Sequence, residues 1–396
     1  MKEAEFYRKN INGLTVLFEK RHLPIVSIVN GIKFGSGDEK LNEKGIAHCI
    51  EHAVFKGTKK RKQEEISAAI EKKGGVLGAF TATDFTAFNV EMPSKHALLG
   101  LDVVRDLSCN PLFDEKEFEK EKHVILEEIR LKHDTPPAYI IMKSKELLYK
   151  KPFSLSPLGS SENVMGFTSK DLFNLFKKHY CPLNSMLCVV GNADIQELVK
   201  SLDLKSKKFS FKRPVPSKIH KSLIEKRNGL HQAHLTVGFH VPGLRDKNRY
   251  AVEAFNSILG SGMSSHLFQE VREKYGLAYA VQSLYEQGTD FGYFLVYVGT
   301  KKDNVKKVKD IVLKEIKKMA SIDSKELEDA KEKLIGEKLI ASESSQNTAI
   351  QLIEEELAGN ATEFYKYTDR INALKLEDIK KIAKISGYSF AALVPK

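Results

Sequence analysis

The stretch GIAHCIEHAVFKGT, residues 45–58, sets two histidines four apart with a glutamate directly before the second. On a helix, which advances about 100° per residue, His48 and His52 stand about 40° apart on successive turns. Both imidazoles can therefore converge on one ion. Glu51 falls on the flank of that pair, able to reach a water beside the ion without being a ligand. Zinc suits such a site, since it accepts imidazole and carboxylate and leaves a fourth position open. It lowers the pKa of its water to about 7, so Glu51 can take that proton and later deliver it to a leaving amine. Two histidines are one ligand short, however, and a helix with surface histidines competes as an explanation until a third is found.

The candidate lies in DEKEFEKEKHVILEEIRLKHD, residues 114–134. With Val124 at zero on a helical wheel, Phe118, Ile125 and Ile129 cluster at about 100–140°. Leu131 and Val124 lie on the near edge of that arc, and Glu121 and Glu128 fall at about 60° and 40°, inside it, whereas Glu127 falls at about 300°, among Lys120, His123 and Arg130. Of two adjacent glutamates, Glu127 is expected in solvent and Glu128 inward. Lys122 and Lys132 also intrude on the arc. An inward carboxylate is costly unless paired or metal-bound, so the wheel leaves a metal site or a polar network open.

The remaining features bound the class. A chain of 396 residues exceeds one ordinary core, and 42% apolar with 29% charged residues is a globular composition. No apolar run approaches the roughly 18 residues of a membrane span. The start, MKEAEFYRKN, lacks the apolar segment of a signal peptide, so a cytoplasmic protein is expected without membrane association. Four cysteines (Cys49, Cys109, Cys181, Cys188) form neither a disulfide framework nor a CxxC pair. The net charge of +11 is spread over amphipathic helices, as in LKEIKKM, and no nucleic-acid motif accompanies it.

Along the chain, LTVLFEKRHLPIVSIVNGIKFGSG reads as two strands. Helices are expected over 43–56 and 62–73, then a period-two stretch, GAFTATDFTAFNVEMP, then helices at 95–107, 114–133 and 136–150. A basic, proline-bearing stretch at 207–218 reads as a linker. Beyond it strands and helices recur, with helices at 248–259, 264–274, 303–318, 324–341 and 345–358. The expectation is an α+β protein of two tandem, similar domains, 1–206 and 219–396, each a mostly antiparallel sheet with helices packed on it.

GIAHCIEHAVFKGT, followed 76 residues after His52 by Glu128, resembles the pitrilysin-type inverzincin (HxxEH) peptidases. The likeness is greatest to the half-length branch that includes the mitochondrial processing peptidases. KKGGVLGAFTATDFTAF, SMLCVVGNAD, LGSGMSSHLFQEVREKYGLAYAV and KLIGEKLIASESS stand as family blocks in family order. The resemblance implies one zinc ion per chain on His48, His52 and Glu128, Glu51 as general base, and Glu121 in a supporting network. In VREKYGLAY it implies that Arg272 and Tyr279 hold the substrate backbone and steady the oxyanion. It also implies that a peptide adds as a strand along Gly78, Ala79, Phe80 and Thr81, although the family usually carries Asn-Ala where this chain has Gly78-Ala79. A homodimer with composite sites in a closed chamber follows from the same likeness, cleaving unfolded or short peptides. The alternative is a non-catalytic partner subunit of a related peptidase complex, and such members typically lose the zinc residues or the base.

Overall fold

The computed structural model of the chain describes residues 5–202, 204 and 208–396. It groups into two compact units, each built on one sheet. In the first, β1 (Phe6–Ile11), β2 (Leu14–Lys20), β3 (Ile25–Ile32), β4 (Val76–Thr81), β5 (Thr86–Pro93) and β6 (Ser185–Gly191) lie in the order β1-β2-β6-β3-β5-β4. Only β2 and β6 run parallel. In the second, β7 (Ser222–Arg227), β8 (Ala233–His240), β9 (Ala278–Gln287), β10 (Gly292–Thr300) and β11 (Ser389–Pro395) lie in the order β7-β11-β8-β10-β9, again with one parallel pair, β7 and β11.

β6 and β10 are buried at every residue, the pattern of strands covered on both faces rather than one. In the first unit, α1 (Ile46–Ala53), α2 (Gln63–Glu71), α3 (Ala97–Cys109) and α4 (Glu115–Asp134) share one core with Val16, Ile28, Phe88, Val90 and Val189. Across the sheet, Leu17, Val29, Ala87 and Cys188 meet Ala349, Leu352 and Ile353 of the helix Ser345–Ala358. In the second unit the helices Arg249–Leu259 and Val305–Lys318 cover one face. There α5 (Pro136–Leu148) covers the other, setting Tyr139, Ile140 and Leu148 against Leu295, Tyr297 and Leu393.

Each sheet thus takes its second cover from the opposite half of the sequence. The first unit comprises the described residues of Met1–Ile129, Ser156–Pro214 and Ala341–Tyr365, the second Arg130–Leu155, Val215–Ile340 and Lys366–Lys396. Contiguous domains 1–206 and 219–396 differ from this grouping by the two exchanged segments. Helical periodicity reveals an apolar face but not which sheet that face will cover. The expected boundary at 206/207 lies outside the described residues. The period-two stretch before Pro93 is in fact a hairpin, broken where the Ala82 N–H bonds the Phe85 carbonyl at 2.8 Å. Among the described residues no helix is long and apolar enough to cross a membrane.

The helix Ser169–His179 ends on a histidine buried against Phe34, with ring centroids 4.1 Å apart, and against Phe211 at 4.9 Å. Burial pushes the His179 pKa down to about 4, assisted by the charges of Lys178 and Lys40. In the unfolded chain the imidazole accepts its proton near the ordinary value of about 6.5. The folded-state pKa is the depressed one, so the stability this group contributes is whole above about 6.5 and is lost as pH falls toward about 4. His179→Phe should therefore reduce the loss of unfolding free energy between pH 7.5 and 4.5 by about 2–3 kcal/mol. Urea unfolding of both proteins at both pH values checks this. Asp38 and Glu39, which burial raises to about 6 and about 7, act with opposite sign but cancel in the comparison.

Candidate metal centre

The histidine helix α1 spans only eight residues, too short to be stable alone. Its position is fixed at the N-terminus. Gly45 caps it in the left-handed region (φ 98°), and a Cβ there would lie 2.7 Å from Gly159 Cα. The Glu39 carboxylate accepts from the N–H groups of Gly45 (3.1 Å) and Ala47 (2.8 Å). It also pairs at 3.3 Å with Lys44, both side chains being buried, and Lys44 donates to the Ser36 carbonyl. A carboxylate on the free N–H groups of a first turn satisfies them and complements the helix dipole. Ile46, Ala47, Cys49, Ile50 and Ala53 then face the core and turn His48 and His52 to the other side.

On that side, His48 Nε2 lies 3.2 Å from His52 Nε2 and 3.4 Å from Glu128 Oε2, and the last two atoms are 3.7 Å apart. Glu127 is exposed and Glu128 half-buried, as the wheel implied. The wheel's anomaly at Lys122 resolves too: this lysine is buried, donating to Glu119 and the Met165 carbonyl and lying over the Phe118 ring.

His52 Nδ1 meets Glu121 Oε1 at 2.8 Å, and Glu121 Oε2 takes Lys56 Nζ at 2.5 Å. A carboxylate acceptor fixes the His52 proton on Nδ1 and leaves the Nε2 lone pair aimed at His48 and Glu128. Burial alone depresses the His52 pKa, but its bond to Glu121 and the charges of Glu128, Glu51 and Glu121 carry it up. Burial likewise favours protonation of Glu121, yet the hydrogen bonds from His52 and Lys56 hold it below the usual carboxylate range. Glu51 Oε2 accepts from Thr81 Oγ at 2.6 Å. Burial pushes the Glu51 carboxyl up, opposed by Thr81 and His52 and reinforced by Glu128.

Three acceptor atoms facing one another within 4.8 Å form a group that could hold a metal ion. The chemistry fits zinc. Four ligands at about 2.0–2.1 Å in a tetrahedron stand about 3.3–3.4 Å apart, and the measured separations are 3.2, 3.4 and 3.7 Å.

Of the remaining expected residues, Gly78, Ala79, Phe80 and Thr81 all lie on β4, the end strand of its sheet, and Thr81 reaches Glu51. Arg272 and Tyr279 come together in the second unit. The Arg272 guanidinium lies 4.7 Å over the Phe268 ring and 5.1 Å over the Tyr279 ring, and donates to the Tyr279 carbonyl at 3.3 Å. Tyr279 is 80% exposed. Arg272 rides on a wide, π-type helical turn, Phe268–Lys274, where an ordinary helix is expected from the sequence. Sequence reasoning missed Glu39, Lys56 and Lys44. Glu39 lies six residues before Gly45, outside the spacing of any capping box.

Glu39→Ala should lower unfolding free energy by about 3 kcal/mol, since it uncaps two N–H groups and leaves Lys44 without its buried carboxylate. The midpoint of urea unfolding reads this directly.

Comparison with known proteins gives the family. Residues 15–160 match the family described as Insulinase (Peptidase family M16), and residues 166–334 match the Peptidase M16 inactive domain. An uncharacterized zinc protease of Rickettsia felis is 33% identical over 394 residues, covering 96% of this chain and 94% of the relative. The uncharacterized zinc protease YmxG of Bacillus subtilis is 29% identical, with 97% of each chain covered. A protease from Helicobacter pylori superposes with a TM-score of 0.90 at 24% identity, over 99% of this chain and 100% of that one. A peptidase M16 inactive domain from Pseudomonas fluorescens gives 0.89 at 20% identity, over 100% and 98%. At those identities the two structures speak for the fold.

Proposed function

The chain belongs to the pitrilysin-type peptidase family M16, and from that premise we propose that it is a zinc-dependent endopeptidase acting on unfolded or short peptides. The observation that carries the reading is the close trio of His48, His52 and Glu128 with Glu51 beside it. In this reading His48 Nε2, His52 Nε2 and Glu128 Oε2 hold one zinc ion per chain. Bound there, the ion would acidify a water and polarise the scissile carbonyl. Glu51 takes the water's proton and passes it to the leaving amine, its carboxyl already raised by burial toward the range a general base needs. Thr81 orients that carboxylate through its hydroxyl. Glu121 keeps His52 in the ligating tautomer, and Lys56 keeps Glu121 ionised. The free edge of β4 takes the peptide backbone as an added strand. Arg272 and Tyr279 supply a cation and a phenol for the substrate backbone and the developing oxyanion.

A homodimer enclosing the reaction in a chamber is part of the same proposal, because one chain carries both constellations. A partner subunit without activity is the second reading. The description "inactive domain" favours it only for residues 166–334, which lie outside the HxxEH segment. Retention of both histidines, Glu51 and Glu128 supports the enzyme.

Purified protein with its metal content assayed, offered a quenched-fluorescent peptide library, tests this. Cleavage should stop with a chelator and return with zinc. Glu51→Gln should keep the metal and lose about 10²–10⁴-fold in kcat, whereas Glu121→Ala should lose about 10–100-fold in zinc affinity. Bound zinc without cleavage of any peptide would favour the partner subunit, and failure to bind zinc would remove the site.

A further inference from the structure

β4 carries an oddity that the proposed chemistry does not use. Gly78 sits at its centre with backbone angles outside the left-handed region, so conformation does not require a glycine there. Space does. A Cβ at Gly78 would have as its nearest neighbours three atoms of the Asn89 carboxamide, with Nδ2 and Oδ1 each 3.3 Å away. Asn89 lies directly opposite Gly78 on β5. The residue as a whole is 5% exposed, and its side-chain amide, which makes no hydrogen bond among the described residues, is not fully sealed from solvent. An amide without a protein partner keeps its donors and its acceptor for whatever displaces the water beside it. Here the amide points at the one position of the edge strand that has no side chain to cover it.

The register says what can reach it. Side chains of Val76, Gly78 and Phe80 share one face of the sheet with Glu91, Asn89 and Ala87, while Leu77, Ala79 and Thr81 take the face toward Glu51. A peptide adding to the free edge of β4 places one residue opposite Gly78, with its side chain on the Asn89 face and about 5 Å from the glycine. A short side chain stops over the glycine. A long one crosses it and meets the carboxamide. Glu91 stands two residues along β5 on the same face, holding the Ser27 hydroxyl at 3.0 Å, and adds negative potential.

Resting on the peptidase reading, we propose that Asn89 is a specificity-determining residue. Through the gap at Gly78 it hydrogen-bonds a long substrate side chain ending in an N–H donor, a glutamine or an arginine, at the one substrate position that pairs with Gly78. The carboxamide oxygen accepts from that donor, and no bond is made or broken.

The test compares wild type, Asn89→Leu and Gly78→Val as full chains, using peptide sets that differ at one position at a time. Wild type should favour glutamine and arginine over norleucine by about 3- to 10-fold at a single position. Asn89→Leu should bring that ratio to about 1 or below. Gly78→Val covers the amide from the other side and should erase the same preference, which keeps the proposal testable if Asn89→Leu fails to fold. An unchanged profile in whichever variant folds overturns the proposal. Binding of the same labelled peptides to Glu51→Gln, followed by fluorescence anisotropy, separates the two readings. Preference in binding that vanishes when Asn89→Leu is added upholds the role of Asn89 even if wild type cleaves nothing. Cleavage without single-position preference leaves the peptidase and removes the role. Binding without preference removes it as well.

Discussion

Two backbone N–H groups at the start of an eight-residue helix, both bound by the buried Glu39 carboxylate, govern where His48 and His52 can be. A helix of two turns has too few internal hydrogen bonds to hold its own direction. Its orientation must come from its ends and its packed face. Glu39 sets the first turn, the Gly45–Gly159 contact sets how near the neighbouring loop approaches, and Ile46, Cys49 and Ile50 set the rotation. A rotation of one residue, about 100°, would carry both imidazoles off Glu128. The acceptor atoms of the two histidines therefore depend on a carboxylate that touches neither of them.

The same dependence recurs at the level of the sheets. A strand buried at every position, such as β6 or β10, needs cover on both faces. Within each unit the second cover is a helix delivered from the other half of the sequence, Ser345–Ala358 in one and α5 in the other. α4, which carries Glu121 and Glu128, continues to Asp134, past the point where the chain leaves the first unit at Ile129. The ligand-bearing part of that helix is anchored by Phe118, Ile125 and Ile129 in the first core.

The local geometry of the centre was largely legible in the sequence, because helical spacing alone places His48 over His52 and separates Glu128 from Glu127. Element order and the α+β class were legible for the same reason. What stayed hidden depends on contacts between distant segments. Glu39 caps α1 from a loop with no capping spacing, and Lys56 reaches Glu121 across 65 positions of sequence. Lys122 spoiled the wheel only because its partners, Glu119 and the Met165 carbonyl, cannot be seen from one helix. Gly78 read as a simple loss of the family's asparagine, whereas the register of β4 on β5 sets the Asn89 carboxamide against that very position.

Charge gives the arrangement its last constraint. Glu51, Glu121 and Glu128 bring three carboxylates to His48 and His52, and among the described residues Lys56 is the cation paired with them. With both imidazoles neutral, as ligating nitrogens must be, three negative charges and one positive leave a deficit of two. Low-dielectric surroundings make such a deficit costly, and burial already drives Glu51 toward its protonated form. In the proposed reading, a single divalent cation held by the two Nε2 atoms and Glu128 Oε2 would remove the deficit. It would also leave Glu51 free to pass one proton without a change of net charge in the site. A hydrogen-bonded network of the same residues would have to protonate a histidine or Glu51 instead, and either choice takes away a ligand or the base. The separations suit a tetrahedral ion and the charge balance suits a divalent one.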